Sequence, residues 1–248
     1  MRRSYETRNR VQGYRTRLRR VTLDRQTELE KFDQHATSYE SAHAQSLRVS
    51  GEAPEYFARH KLACLLRLGS SPETRVLDYG CGTGSLTRLL AEQFRVTAGF
   101  DPSLESLRVA RGCAPRATLY EAEAQIPERS FDLVVLSGVL HHVPPAERLG
   151  VVESAVRRLR AGGRLAIFEH NPFNPLTVRA VRACPFDDAA VLLAPGELRR
   201  LLKAVQLHAV RQEYVLFFPR VLARLRPLEP WLRRCPLGAQ TLTSGIRG

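Results

Sequence analysis

Residues 76–85 read Val-Leu-Asp-Tyr-Gly-Cys-Gly-Thr-Gly-Ser, where an apolar strand gives way to a glycine-rich turn. Asp78 lies near the end of the apolar run, and glycines at 80, 82 and 84 precede a predicted helix over 85–94. Glycine lacks a Cβ, so the backbone can turn sharply and a ligand can lie directly on it. The following helix offers unpaired N–H groups and a positive dipole end. Ligands of open α/β sheets bind where such strands end, so this turn predicts a binding site.

Two common nucleotide-binding patterns do not fit this turn. The dinucleotide fingerprint G-x-G-x-x-G needs glycine or alanine at position 85, where the chain has Ser85. A phosphate-binding loop needs Gly-Lys-Ser/Thr after the glycines, and no such triplet follows. What remains is D-x-G-x-G-x-G, whose acid opposes a phosphate but suits an ammonium group. S-adenosylmethionine (SAM), with a cationic amino-acid end and an adenosine end, fits both halves.

The stretch resembles the first motif of the class I SAM-dependent methyltransferases that act on small molecules. The resemblance implies that Asp78, Gly80, Gly82 and Gly84 bind the cofactor. It also implies an α/β fold with a doubly wound, mostly parallel seven-stranded sheet and an N-terminal helical cap. The alternation of apolar strands and amphipathic helices independently favours a doubly wound sheet. In the family topology, the last strand, over 238–246, is antiparallel and at the hairpin edge.

A second acid follows the next predicted strand. Arg95-Val-Thr-Ala-Gly-Phe-Asp101 is a strand pattern, and Pro102 and an amphipathic helix come after it. A carboxylate at this position can accept both ribose hydroxyls, as in dinucleotide folds. We therefore predict that Asp101 and Pro102 contact the cofactor. The alternative is that Asp101 is only a turn or helix N-cap residue.

The third strand, over 117–121, is expected to lead to an acid for the adenine amino group, as the resemblance implies. Glu121 and Glu123 flank that place, while Ala122 occupies the aligned position. We favour Glu123 over Glu121.

The fourth strand ends in Ser137 and Gly138, after an apolar run typical of a central parallel strand. In the resembling family this position lies beside the sulfonium, so both residues are expected to line the methyl-transfer path. Their simpler interpretation is a turn out of a buried strand, and both readings are compatible.

The histidines that follow are the candidate catalytic residues. Histidine is the side chain most easily poised as a base near neutral pH. Adjacent residues cannot both face one point on a regular element, so we predict a base role for one of the pair, His142 in preference to His141. The alternative is that a histidine only orients the loop. Glu169, His170 and Tyr214 are further candidates. No other ligand at useful spacing is evident, so no metal site is expected.

The chain is expected to form a basic arm followed by one domain. Residues 1–30 are rich in arginine and poor in aliphatic side chains, which predicts a frayed, helical or disordered arm. The methyltransferase domain is expected over 31–248. Its parts are a helical cap (31–70), a cofactor-binding core (71–170) and an acceptor-side loop with a C-terminal segment (171–248). In the cap, Pro54 begins a helix, and the resemblance implies Tyr39 and His43 as lid residues, with plain packing as the alternative.

The composition of the chain limits which partners and which cellular compartment are expected. No stretch approaches the ~20 consecutive apolar residues of a membrane span, and the N-terminus lacks an apolar signal core. Five scattered cysteines indicate reduced thiols, so a cytoplasmic protein is expected. The net charge of +13 raises the question of nucleic acid. Almost all of that charge is arginine, however, since lysine occurs only at 31, 61 and 203, and compositional bias explains it as well.

The leading hypothesis is methyl transfer to a small organic acceptor, with O-methylation slightly favoured. An anionic sugar, a lipid intermediate or a natural product would suit the basic C-terminal segment, whose arginines are Arg220, Arg224, Arg226, Arg233 and Arg234. The alternatives are an RNA methyltransferase and a cofactor-binding scaffold without turnover. Aromatic residues barely interleave with the arginines, which counts against RNA.

Overall fold

The structure, a computed structural model, describes residues 50–184 and 187–248. The predicted arm over 1–30 and the predicted lid residues Tyr39 and His43 lie outside the described residues. Of the expected helical cap, the structure describes the part that begins at residue 50.

A seven-stranded sheet forms the centre of the fold, in the order β3-β2-β1-β4-β5-β7-β6. Its strands are β1 (Arg75–Tyr79), β2 (Val96–Phe100), β3 (Thr118–Tyr120), β4 (Phe131–Ser137), β5 (Leu159–His170), β6 (His208–Val215) and β7 (Gln240–Ile246). The first five strands pair in parallel, and β7 pairs antiparallel with both β5 and β6. The predicted doubly wound, mostly parallel sheet is confirmed.

Helices alternate with the strands and cover the sheet. They are α1 (Pro54–Arg67), α2 (Ser85–Gln93), α3 (Leu104–Cys113), α4 (Arg148–Arg158), α5 (Pro175–Arg182), α6 (Pro195–Ala204) and α7 (Glu229–Leu232). Short 3₁₀ segments cover Glu123–Gln125, Leu140–His142 and Arg220–Leu228. Proline at the first turn of α1, α5 and α6 fits its fixed φ and missing N–H.

The central strands are buried on both faces, which is why their sequences are almost continuously apolar. One apolar cluster includes Leu77, Val134 and Leu198, and a second, separate one includes Val76, Val135 and Leu65. Alternate residues of β1 and β4 therefore enter different clusters, as the two-residue period of a strand requires.

The strand order reverses at β1, whose neighbours are β2 on one side and β4 on the other. Register pairs Asp78 of β1 with Gly99 of β2 and Val135 of β4. The carboxyl ends of the three strands therefore meet at one edge of the sheet. Ligands of doubly wound sheets bind at such a switch point.

The last strand differs from the expectation in its place. It is antiparallel, as predicted, but β7 lies between β5 and β6, so the edge strand is β6. Its burial explains this, because nearly every residue from Gln240 to Ser244 is buried, whereas β6 begins with exposed residues. No helix among the described residues is long and apolar enough to cross a membrane.

Candidate active site

A cavity of about 280 Å³ lies at the switch point. Its walls come from α1, the glycine-rich turn after β1, the end of β2, the end of β4 and the turn that follows β4. α1 contributes Pro54, Phe57, Ala58 and Lys61, so the described part of the cap helix covers the strand ends. Most of the sequence-predicted positions are thus brought together at one site, and Gly84 and His141 do not line it.

The three glycines of the turn have different surroundings. All have positive φ, between 52° and 85°, which only glycine adopts easily. A Cβ on Gly82 would meet nothing within 4 Å, and Gly82 lines the cavity, so its bare backbone is open to a ligand. A Cβ on Gly80 would lie 2.5 Å from a methyl of Val139.

Gly84 acts in packing rather than at the cavity. A Cβ there would lie 3.0 Å from the Cβ of Ala110 and 3.1 Å from its Cα, because α2 and α3 approach closely at this point. Gly84 is absent from the cavity lining. The structure therefore gives Gly84 a role in the close packing of the two helices, and its cofactor contact stays a prediction.

Asp78 is buried below the cavity, and the Thr87 hydroxyl donates a 2.7 Å hydrogen bond to its Oδ2. Its other carboxylate oxygen, Oδ1, is buried and has no hydrogen-bond partner among the described residues. Burial raises the pKa of Asp78 to about 6, although the Thr87 hydrogen bond and Lys61 oppose the shift. A buried carboxylate oxygen without a donor is costly unless a ligand supplies one.

Asp101 joins the two loops at the cavity. The backbone N–H of Gly82 donates to Oδ2 at 2.8 Å, and that of Ser103 donates to Oδ1 at 2.9 Å. The N-cap of α3 is Ser103, whose hydroxyl accepts from Ser106. Asp101 and Pro102 both line the cavity, so the simpler reading of Asp101 as the N-cap does not hold.

Of the two glutamates considered after β3, Glu123 lines the cavity and Glu121 does not. Glu121 is half-exposed and forms an ion pair with Arg111. Glu123 accepts hydrogen bonds from the hydroxyls of Tyr79 and Ser154, the latter at 2.6 Å. The preferred glutamate thus lies at the cavity, where its carboxylate also joins β1 to α4.

Ser137 and Gly138 line the far end of the cavity beside Lys61 of α1. The ammonium of Lys61 donates a 2.7 Å hydrogen bond to the Ser137 hydroxyl. Burial lowers the pKa of this lysine, while Asp78 and Glu169 oppose the shift. Gly138 has φ +70° and donates its N–H to the Phe168 carbonyl. Both predicted residues therefore sit at the turn out of β4, with an ammonium group next to them.

His141 is buried and lies between two carboxylates. Its Nδ1 is 2.7 Å from Oε2 of Glu169, whose Oε1 accepts from the backbone N–H of Leu140. Its Nε2 is 3.5 Å from Oδ1 of Asp187. Burial would lower the pKa of His141, but the two carboxylates raise it to about 9.

His142 lines the cavity, and its Nε2 is 3.4 Å from the same Oδ1 of Asp187. Burial and the neighbouring His141 lower the pKa of His142 to about 3. Such a pKa makes the free imidazole a weak base at neutral pH, which counts against the base role predicted for it.

The two imidazoles contradict the expectation that neighbours cannot face one point. They sit on a tight 3₁₀ turn, with ring centroids 4.1 Å apart, and both approach Asp187. No metal site was expected because the sequence showed no further ligand near the histidines, and Asp187 is a candidate for such a ligand. Asp187 lies in the long connection after β5, 45 residues beyond His142 in sequence.

The basic C-terminal segment lies away from this site. None of its five arginines lines the cavity. Arg226 forms an ion pair with Glu52 and stacks on the ring of Tyr56, 4.3 Å from the centroid. The idea that these arginines select the acceptor therefore loses its basis in the described structure. Arg226 links the C-terminal segment to the start of α1 instead.

Comparison with known proteins identifies the family. A family model described as a methyltransferase domain matches residues 77–167. An uncharacterized methyltransferase of Staphylococcus carnosus is 31% identical over 145 residues, which are 57% of this chain and 67% of that protein. The chain belongs to this family. The match spans the glycine-rich turn and the carboxyl ends of β1, β2 and β4, and the class I SAM-dependent methyltransferases share this arrangement.

Two relatives have more specific names. Trans-aconitate 2-methyltransferase of an Azoarcus species is 34% identical over 133 residues, which cover 52% of this methyltransferase and 51% of that enzyme. Demethylmenaquinone methyltransferase of Tropheryma whipplei is 32% identical, covering 49% and 54% respectively. The methyltransferase thus spans about half the length of each, and the two names denote different acceptors.

Solved structures share the fold. A SAM-dependent methyltransferase from Thermotoga maritima superposes with a TM-score of 0.64 at 19% identity, covering 89% of this chain and all of that one. A complex of DhpI with SAM has a TM-score of 0.60 at 18% identity, covering 90% and 97%. These structures share the fold, and SAM is the cofactor through the family to which the methyltransferase belongs.

Sequence reasoning missed two residues of the site. The sequence did contain an indication of a special role for Lys61, because it is one of only three lysines in a chain rich in arginine. An ammonium group is not chemically equivalent to a guanidinium, since its pKa shifts readily on burial. The sequence contained no such indication for Asp187, since its approach to the histidines depends on the path of the long connection after β5.

Proposed function

We propose that this methyltransferase transfers the methyl group of SAM to an oxygen of a small organic acceptor, and that the residues around the cavity divide into a cofactor half and an acceptor half. Bound SAM supplies an electrophilic methyl group on its sulfonium. Such a transfer needs little covalent help, and positioning can account for up to ~7–11 kcal/mol of the barrier in ideal cases. The residues of the chain therefore act by binding and orienting.

The observation that carries the proposal is the buried Oδ1 of Asp78, to which no group in the described part of the chain donates a hydrogen bond. An ammonium group of the cofactor would supply that donor and the compensating charge. Next to it, the open backbone of Gly82 leaves the space that a Cβ would fill. A carboxylate beside bare backbone suits an amino-acid end and not a phosphate.

The remaining cofactor contacts are assigned by position. Asp101 is held by two backbone N–H groups, so its carboxylate is fixed in orientation where ribose hydroxyls would donate to it. Pro102 and Glu123 line the same wall and are assigned to the adenosine side. We assign Gly80 to the shape of the turn, because its backbone N–H donates to the Phe100 carbonyl at 2.7 Å.

The acceptor half is formed by Ser137, Gly138, Lys61 and His142. The Lys61 side chain is partly buried at the cavity wall, and its hydrogen bond to Ser137 uses one of three donors. A cation at this wall favours an acceptor that presents an anionic or strongly accepting oxygen. This supports O-methylation of a hydroxyl or carboxyl group, and the relative named for trans-aconitate is consistent with it. The partly enclosed cavity, with Ser137, Lys61 and His142 in its wall, is consistent with a small acceptor.

The test combines binding with product analysis. Calorimetry with SAM and with S-adenosylhomocysteine is expected to show one site per chain for both. Incubation with isotope-labelled SAM and a small-molecule fraction, followed by mass analysis, is expected to reveal a labelled methyl ester or ether. Asp101→Ala serves as the control that loses both. Labelling of RNA instead would favour the RNA alternative, and binding without labelling of any fraction would favour a scaffold.

A further inference from the structure

The acceptor end of the cavity contains a group of four side chains that we call the histidine–carboxylate cluster: His141, His142, Glu169 and Asp187. One donor atom from each of His141, His142 and Asp187 lies within 4.8 Å of the other two. His141 and Glu169 are buried, and the side chains of His142 and Asp187 are exposed by only 17% and 11%. The cluster thus has little access to water except through the cavity.

The two distances from Asp187 to the histidines are longer than usual hydrogen bonds. Asp187 Oδ1 is 3.5 Å from Nε2 of His141 and 3.4 Å from Nε2 of His142. Hydrogen bonds between such groups are about 2.7–3.2 Å long. Two ligands at about 2.0–2.1 Å from a tetrahedral ion are roughly 3.3–3.4 Å apart. Each histidine Nε2 is therefore about as far from Asp187 Oδ1 as two ligands of one ion are from each other, and the three donor atoms all lie within 4.8 Å of one another.

Glu169 supplies the support that a metal-binding histidine requires. Its Oε2 is 2.7 Å from Nδ1 of His141, and its other oxygen is fixed by the Leu140 N–H at 2.7 Å. Histidine ligands of metals typically donate their second ring N–H to a carboxylate, which fixes the ring and its tautomer. With Nδ1 turned to Glu169, the Nε2 of His141 faces Asp187.

We propose that His141, His142 and Asp187 bind a Zn²⁺ ion at the acceptor end of the cavity, with Glu169 orienting His141. Two imidazoles and one carboxylate are a typical zinc donor set, and three protein ligands leave one tetrahedral position open. Because His142 lines the cavity, the ion lies at its wall. Glu169 and the largely buried Asp187 are two carboxylates, and a divalent cation would balance their charge in place of a proton on His141.

The open position would take an oxygen of the acceptor. A hydroxyl or carboxylate bound there would be held beside Ser137 and Lys61, at the end of the cavity where the methyl group is transferred. This role rests on the proposed function, whereas the metal site itself does not.

The first experiment measures the ion in the full chain. The protein is stripped with a chelator and titrated with ZnCl₂ by calorimetry, and metal content is determined by elemental analysis. We expect one Zn²⁺ per chain. Co²⁺ as a substitute is expected to give the intense visible absorption of a tetrahedral site.

Variants then locate the site. Asp187→Asn and His142→Gln are expected to abolish stoichiometric Zn²⁺ binding, and Glu169→Gln to weaken it by about 10–100-fold. Asp188→Asn, at the exposed neighbouring acid, and His208→Gln, at an exposed histidine of β6, are the matched controls and are expected to bind Zn²⁺ normally. SAM binding by each variant serves as the measure of folding.

The outcomes separate this inference from the proposed function. Loss of Zn²⁺ binding in Asp187→Asn with SAM affinity kept within twofold supports the metal site. Wild-type protein that binds Zn²⁺ no more tightly than Asp187→Asn overturns it and leaves a proton between His141 and Asp187 instead. Zn²⁺ binding without SAM binding would overturn the proposed function and leave the metal site standing.

Discussion

At the residue scale, the buried carboxylate of Asp78 is expected to favour cofactor binding and to lower the stability of the cofactor-free protein. Its pKa of about 6, against an ordinary value of 3.8, means that the folded state holds the proton more tightly than the unfolded chain. This group therefore stabilises the fold most at low pH, and that contribution is lost as pH rises from about 4 through 6. The total is about 3 kcal/mol.

Cofactor affinity should change with pH in the opposite direction. An ammonium group binds the ionised carboxylate, so SAM affinity is expected to fall about tenfold per pH unit below about pH 6. Calorimetric titrations between about pH 5 and 8 measure this. Asp78→Asn should bind SAM at least about 30-fold more weakly, with no such pH dependence and no loss of melting temperature at neutral pH. A variant that keeps the wild-type pH profile contradicts the assignment.

Two glycines of the same turn provide a matched pair. In Gly82→Ala the methyl enters open space, so only the strain of positive φ, about 1–2 kcal/mol, is expected in stability, while SAM affinity falls at least about tenfold. In Gly84→Ala the methyl meets Ala110 at 3.0 Å, so the loss of stability is expected to reach about 3 kcal/mol. Urea unfolding and SAM calorimetry on both variants separate the effects, and equal behaviour of the two would refute the division of roles.

At the scale of elements, the turn after β4 is positioned by α4. Arg148 of α4 is buried, and its Nε donates to the carbonyls of Leu140 and Val143, both at 3.1 Å. Its other nitrogens donate to the Val191 carbonyl at 2.6 Å and to Glu197 at 2.7 Å. One guanidinium thus ties the histidine turn to α6 and to the connection that carries Asp187.

Replacing Arg148 should destabilise the turn that carries the histidines, although Arg148 itself does not line the cavity. Arg148→Met removes the Arg148 hydrogen bonds to three carbonyls, of which that of Leu140 still accepts from the Val143 N–H. We expect a loss of about 3 kcal/mol in the free energy of unfolding. Arg157→Met, at an exposed position of the same helix, is the control, with an expected loss below about 0.5 kcal/mol. Urea unfolding measures both. A loss in Arg148→Met as small as in the control would show that the helix does not hold the turn.

The cap helix contributes a testable group of its own. Lys61→Met removes the ammonium beside Ser137 and is expected to raise the acceptor KM about 10-fold or more, because hydrogen bonds to charged groups contribute about 1.5–3 kcal/mol. SAM affinity should change less than about threefold. The control is Lys203→Met on the exposed face of α6. An unchanged KM with any acceptor identified would remove Lys61 from the acceptor half.

The elements were predicted well where local pattern determines them. Apolar runs and glycines placed β1, α2 and β4 within a residue or two, and Asp78, Asp101 and Glu123 all proved to line the cavity. Lys61, Arg148 and Asp187 were not predicted in their roles, because their positions depend on the packing of elements distant in sequence. Gly84 shows the limit of a motif, since a glycine required for helix packing looks the same in sequence as one required for a ligand.

At the scale of the whole molecule, the arginines of the C-terminal segment contribute to the net charge of +13 but do not line the cavity. Arg224 and Arg234 are exposed and do not line it. Replacing both by alanine is therefore expected to leave the acceptor KM within about twofold of wild type. If RNA is the substrate, the same replacement should instead weaken binding and flatten its salt dependence, which filter binding at several salt concentrations would detect.

The place of β7 has a consequence for how the protein is made. This strand lies between β5 and β6, so β6 gains its neighbour only after residues 240–246 have left the ribosome. A chain truncated before Gln240 would lack β7, and β6 would have no strand to pair with. The unpaired edge of β5 would then be exposed, which promotes aggregation. Glu169 and His170 sit on that edge, opposite Thr241 and Gln240. The support for the histidines is therefore complete only after residues 240–246 have been made, later than the residues of the cofactor half.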